Sequence, residues 1–129
     1  METRIGATVA MNIRIKRAYE APVEDDGYRI LVDRVWPRGR SREDLRIDEW
    51  ARDVAPSTDL RRWFGHQPER WETFRDRYRR ELAAADRVAD LQALLGRVGS
   101  KSLTLVYGAR DTEHNQAVVL AEVLLGSRS

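Results

Sequence analysis

Apolar positions recur with two different periods along this chain, and the alternation between them predicts an α/β domain. Ile13 and Ile15 alternate with Arg14 and Lys16, the pattern of a strand with one wet face. Glu24-Asp25-Asp26-Gly27 carries turn chemistry, and Tyr28 to Asp33 reads as a second strand whose Ile-Leu-Val run suits burial on both faces. A polar loop with a proline follows. Ser41 and Asp44 cap a short turn ahead of the weakly periodic Leu45, Ile47 and Trp50. Ser57 is an N-cap before the helical face Leu60, Trp63 and Phe64. Pro68 suits a first helical position, with Trp71, Phe74, Tyr78 and Leu82 at helical spacing behind it. Val88, Leu91, Leu94 and Leu95 predict a further helix that stops near Gly96 to Gly99. Ser102 to Tyr107 is a third strand, rich in β-formers and bounded by Gly99 and Gly108. A last helix, capped by Asp111 or Thr112, presents Ala117, Val118, Leu120, Ala121, Leu124 and Leu125.

The expected fold class is therefore α/β: a small, mostly parallel sheet of about three strands packed with about five helices. Residues 11–129 form a single domain behind a flexible lead-in at 1–10. The long helical crossover between the second and third strands favours their parallel pairing, which sends the loops 33–39 and 107–111 to one crevice.

Composition narrows the function. The 129 residues, 42% of them apolar, suffice for one core, and charged residues interrupt every apolar run, so no membrane span is expected. With no export signal legible at the start, a cytoplasmic location is expected. The absence of cysteine excludes disulfides, zinc-thiolate sites, iron–sulfur clusters and thiol nucleophiles. Formal net charge is only +2, and basic and acidic residues interleave, so nucleic acid is not expected as a partner. Lys16 and Lys101 are the only lysines, and the many arginines suit carboxylate and phosphate ligands.

Candidate chemistry gathers at the two loops. Arg34 and Arg38 can hold an anion, Asp33 can orient one guanidinium, and Trp36 can pack as a lid. The bland alternative is an Asp-Arg pair closing a strand end, and an exposed Trp between arginines also suits a protein contact. Tyr107 and Arg110 flank a helix N-terminus that favours negative charge. His66 and His114 are the only histidines. His114 is the candidate catalytic proton donor, or a capping residue. The chain lacks a phosphate-binding P-loop, a His-Glu-x-x-His zinc motif and a Gly-x-Ser-x-Gly elbow.

Asp33-Arg34-Val35-Trp36-Pro37-Arg38-Gly39, Trp63-Phe64-Gly65-His66 and Tyr107-Gly108-Ala109-Arg110-Asp111, followed by His114-Asn115, resemble in order the motifs of the bacterial family called domain of unknown function 488. The resemblance runs from about Met11 to the C-terminal helix. Other branches of that family carry a Cys-His-Arg run after the last strand, so no thiol role transfers to this cysteine-free chain. The resemblance implies a small bacterial cytoplasmic protein, and for some members a haem group.

Three functions are expected from these residues. In the first, His66 is the axial metal ligand of a haem-binding protein with weak peroxidase or gas-binding activity. Trp63, Phe64, Trp71 and Phe74 then frame the iron-bearing cofactor, with Arg34, Trp36, Arg38, Tyr107 and Arg110 as its further contacts. The competing reading of His66 is a cap over core aromatics. In the second, an enzyme or sensor binds a phosphorylated or carboxylated small molecule through Arg34, Arg38 and Arg110. In the third, the domain is a protein-interaction or regulatory module. Whether the chain is an enzyme, and whether it forms a homodimer, stay open at this stage.

Overall fold

The run of β-formers before Gly108 becomes the strand around which the molecule is built. The computed structural model describes residues 12–126, so the lead-in assigned to 1–10 lies outside the described residues. The strands are β1 (Ile13–Arg17), β2 (Tyr28–Leu31), β3 (Glu49–Trp50) and β4 (Leu103–Tyr107). The helices are α1 (Arg42–Leu45), α2 (Thr58–Phe64), α3 (Trp71–Leu82), α4 (Ala85–Val98) and α5 (Gln116–Gly126). The sheet order is β1-β4-β2-β3, with every pairing parallel. Tyr28 to Leu31 register against Leu103 to Val106, so the second and third expected strands are parallel neighbours joined by a right-sized helical crossover. β4 has a partner on each side and is buried along its whole length.

The fourth strand was not foreseen. It is a two-residue edge strand, too short to leave a period in the sequence, and short edges are a common way of discouraging further pairing. Asp33 likewise lies beyond β2, which stops at Leu31.

The pleat divides the sheet into two unlike faces. Ile30, Leu103, Leu105 and Tyr107 point into the main core with Phe74 and Leu120 from the helices. On the opposite face Ala18, Leu31, Leu45 and Val106 form a small cluster against which Trp36 and Trp50 pack. Further from that cluster the same face turns ionic. Asp26, 0% exposed, takes Arg29 at 2.7 Å and Lys16 at 3.1 Å, with Arg14 at 3.7 Å. Burial pushes the Asp26 carboxyl up, but the Val23 N–H, Lys16 and Arg29 outweigh it and hold it below its ordinary value. Arg29 also donates to the Leu45 carbonyl at 2.7 and 3.0 Å, tying α1 to the sheet. Next in the chain, Gly27 has φ 66°, and a Cβ there would sit 2.3 Å from the Ser102 carbonyl oxygen, so only glycine lets this turn reach β4.

The expected caps hold at two helices and shift at a third. Ser41 and Asp44 form a reciprocal capping box on α1, and the Ser57 hydroxyl accepts the Leu60 N–H on α2. Pro68 opens a short 3₁₀ turn, Pro68–Arg70, that runs into α3. The last helix begins at Gln116, later than expected. Asn115 caps it, accepting the N–H groups of Ala117 and Val118, because Asp111 is spent on the preceding turn, accepting from Glu113 and His114. Among the described residues no helix is long and apolar enough to cross a membrane.

Candidate functional site

Four parallel strands put four carboxyl ends on one rim, where the chain leaves the sheet and backbone groups lose their ladder partners. After β2 the Asp33 carboxylate crosses to the loop after β4. Its Oδ2 accepts the Gly108 N–H at 2.9 Å, and its Oδ1 accepts the Gln116 side-chain amide at the start of α5. The Trp50 indole N–H donates to the Asp33 carbonyl at 2.8 Å, fastening β3 to the same loop. A Cβ on Gly108 would lie 2.8 Å from Asp33 Oδ2, so the glycine permits this close crossing. The two loops singled out in the sequence therefore meet.

They enclose a cavity of about 440 Å3, with Trp36, Pro37 and Phe64 among its walls and the half-buried Asp33 on its inner side. The exposed side chains of Arg38, Arg61 and His66 also line it. Burial pushes the Asp33 carboxyl up to about 6, against the lowering effects of the Gly108 N–H, the Gln116 amide and Arg61. Its ionisation thus falls near physiological pH, which marks it as the group of the cavity suited to functional use.

The arginines divide by what they already hold. Arg34 lines the cavity but donates through Nε to the Pro56 carbonyl at 2.9 Å and through a terminal nitrogen to that of Ala55 at 3.3 Å. It braces the wall and makes no pair with Asp33, correcting the expected Asp-Arg arrangement. The brace is itself fixed, because Tyr78, buried in α3, donates to the Val54 carbonyl at 2.5 Å. The guanidinium groups of Arg38 and Arg61 have no hydrogen-bond or ion-pair partner among the described residues, and Arg61 acts on Asp33 through its charge alone. The Arg38 carbonyl accepts the Tyr19 hydroxyl at 2.9 Å, and Arg17 and Arg40 lie 5.0 and 5.8 Å from the Tyr19 ring centre. The rim is therefore strongly cationic beside one carboxylate.

Of the residues expected at the site, Arg34, Trp36, Arg38 and His66 line the cavity, whereas Tyr107, Arg110 and His114 do not. Tyr107 is 2% exposed and belongs to the core, since the alternation of β4 turns it toward the helices. Arg110 is exposed outside the cavity. His114 packs edge-on against Trp71 at 5.2 Å, with its Nδ1 2.9 Å from Asp111 Oδ2. Trp36 donates its indole N–H to the Arg40 carbonyl at 2.6 Å and sets its ring on Trp50 at 5.3 Å, so it is a wall. Arg61 and Gln116 were missed. Each looks like an ordinary helical surface residue, and only the packing of α2 and α5 at the rim brings it to Asp33.

The arrangement fits haem poorly. Phe64 and Phe74 stack on one another at 4.3 Å, and Trp71 packs on both, so these rings are spent on each other and do not part to sandwich a flat macrocycle. His66 is exposed, with φ 58°, directly after Gly65 at φ 50°. Two successive left-handed residues turn the imidazole out of α2 toward the cavity, 6.1 Å from the Phe64 ring centre. Among the described residues no group of three or more His, Cys, Asp or Glu could hold a metal ion.

Residues 12–128 match the family described as the inactive DUF488-N3 subclade, a span that takes in every residue of the cavity. The chain belongs to the DUF488 family. Within this DUF488 chain, 114 residues are 44% identical to the uncharacterized protein YeaO of Escherichia coli (strain K12), covering 88% of this chain and 97% of that one. The uncharacterized protein Rv3073c of Mycobacterium tuberculosis (strain ATCC 25618 / H37Rv) is also 44% identical over 114 residues, covering 88% of this chain and 94% of the relative. No solved structure is significantly similar to this DUF488 chain.

Proposed function

We propose that this protein binds a phosphorylated or carboxylated small molecule in the cavity at the carboxyl ends of β2 and β4, as a binding or sensing module. Arg38 and Arg61 contact the anion, and Arg34 holds the wall. One observation carries the reading: the Asp33–Gly108 crossing closes a ligand-sized cavity whose rim bears two arginines with no hydrogen-bond acceptor for their guanidinium groups among the described residues. Arg110, part of the expected anion set, is replaced in this role by Arg61. The description of the matched subclade as inactive supports binding without turnover.

Calorimetric titration with ribose 5-phosphate tests the reading. Arg38→Ala and Arg61→Ala should each weaken binding by about tenfold, as expected for a lost charge-assisted hydrogen bond, and added salt should weaken it further. Binding that neither substitution alters would place the anion elsewhere.

A second reading keeps one supporting observation, the imidazole of His66 beside the cavity: a haem protein with weak peroxidase or gas-binding activity and His66 as axial ligand. Protein expressed with ample haem is expected to show no Soret band that depends on His66. A band lost in His66→Ala would restore haem to first place.

A further inference from the structure

The Asp33 carboxylate specifies what the inner end of such a ligand must offer. An ionised carboxylate only accepts hydrogen bonds, with about two lone-pair sites on each oxygen. The Gly108 N–H takes one site on Oδ2, and the Gln116 amide takes one on Oδ1. One acceptor is left on each oxygen, a count that matches a pair of adjacent N–H donors on a ligand. Gln116 has its own carbonyl oxygen beside them as a further acceptor. The neighbouring walls, Trp36, Pro37, Pro56 and Phe64, are flat and mostly apolar. The outer rim, by contrast, is cationic, with the guanidinium groups of Arg38 and Arg61 free of hydrogen bonds to the described residues.

A ligand complementary to all three parts has forked N–H donors at one end, a flat ring in the middle and an anion at the other end. A guanidinium compound has the fork but would carry its own cation in among Arg34, Arg38 and Arg61. An adenine edge alternates a donor with an acceptor and would set a lone pair against a carboxylate oxygen. The ring N–H and exocyclic amine of guanine, or of a pterin, are adjacent donors on a neutral ring. A cavity of about 440 Å3 falls in the range of small-ligand pockets, suited to one such ring with its anionic group.

We propose that the cavity recognises the amino-oxopyrimidine edge shared by guanine and pterin rings, held bidentately by Asp33, in a molecule whose anionic end meets Arg38 and Arg61. This rests on the anion-binding reading above.

Four probes test it by calorimetry at neutral pH: GMP, AMP, pterin-6-carboxylate and ribose 5-phosphate. Either GMP or pterin-6-carboxylate should bind about tenfold or more tightly than AMP and ribose 5-phosphate, the scale of one bidentate contact. The tighter of the two identifies which source supplies the edge. Asp33→Asn should collapse the preference, bringing GMP and pterin-6-carboxylate to within a few fold of AMP and ribose 5-phosphate measured on the same variant. That variant is expected to fold, because it removes a desolvated charge and keeps the side chain's shape. Equal binding of all four probes, lost in Arg38→Ala and Arg61→Ala, overturns the edge recognition and leaves the anion site standing. Binding by none overturns both. A preference that survives Asp33→Asn also overturns the assignment.

Discussion

Replacing Asp33 with Asn should make this protein more stable at neutral and alkaline pH while removing the feature that makes its cavity selective. Burial raises the folded-state value of this carboxyl from 3.8 to about 6. Folding therefore favours the protonated form. The group's contribution is fully favourable below its unfolded value near 4, is lost as pH rises through about 6, and stays lost above that. A shift of this size corresponds to about 3 kcal/mol, an order-of-magnitude figure for the penalty carried by the ionised form. Asn pays no such penalty: its oxygen can accept the Gly108 N–H, and its amide can donate to Gln116 once that side chain turns its own oxygen inward. Urea unfolding of both proteins at about pH 8 and about pH 4 checks this. The variant's advantage should be about 2–3 kcal/mol larger at the higher pH. A difference that does not change between the two would show that Asp33 carries no desolvation cost. A carboxylate retained against its own stability in a cavity is the pattern expected where function needs the charge.

Asp26→Ala should do the reverse, destabilising the fold by about 3–5 kcal/mol, the usual scale for breaking a buried ion pair from one side. The substitution leaves Arg29, only 3% exposed, without its carboxylate, and it strips Lys16 and the Val23 N–H of an acceptor. Arg29 would retain only the Leu45 carbonyl. Because its neighbours hold Asp26 below its ordinary value, its stabilisation is present above the unfolded value and is lost as pH falls through the lower folded one. The loss measured by urea unfolding should accordingly be full at neutral pH and shrink only in strong acid. A variant within about 1 kcal/mol of the parent at neutral pH would mean that the three cations find other partners or solvent. Two aspartates seven positions apart, one just before β2 and one just beyond it, thus make opposite contributions to the pH profile. The difference is the number of cations each one faces.

The sequence carried the strand-and-helix order well wherever an element was long enough to repeat its period. The helical faces of α3 and α4, the β-formers of β4 and the Ser57 cap were all legible because each is a local preference written in adjacent residues. β3 was not, since two residues cannot establish an alternation. The start of the last helix differed for a related reason. Asp111, Thr112 and Asn115 are all competent N-caps, and which one starts α5 depends on Asp111 being drawn into the turn that holds His114.

At the site, residue type pointed to Arg34 and Arg38 alike, yet the fold gives them different work. Arg34 meets the carbonyls of Ala55 and Pro56, twenty-odd positions downstream, while Arg38 is left free. Tyr107 looked like a loop-edge contact and proved to be core, because the parity of a strand assigns each side chain to one face and only the packed helices say which face is inside. His66 was singled out for its aromatic neighbours; those neighbours close on one another, and the imidazole reaches the cavity through two left-handed backbone residues that no pattern in the sequence announces. The sequence by itself determined the α/β class and pointed to the loops after the second and last strands, because periodicity, caps and loop composition are local. Only the tertiary structure decided which groups share that cavity. The meeting of Asp33 with Gly108, Gln116 and Arg61 joins residues 28 to 83 positions apart, and such a meeting is set by parallel strand register and helix packing.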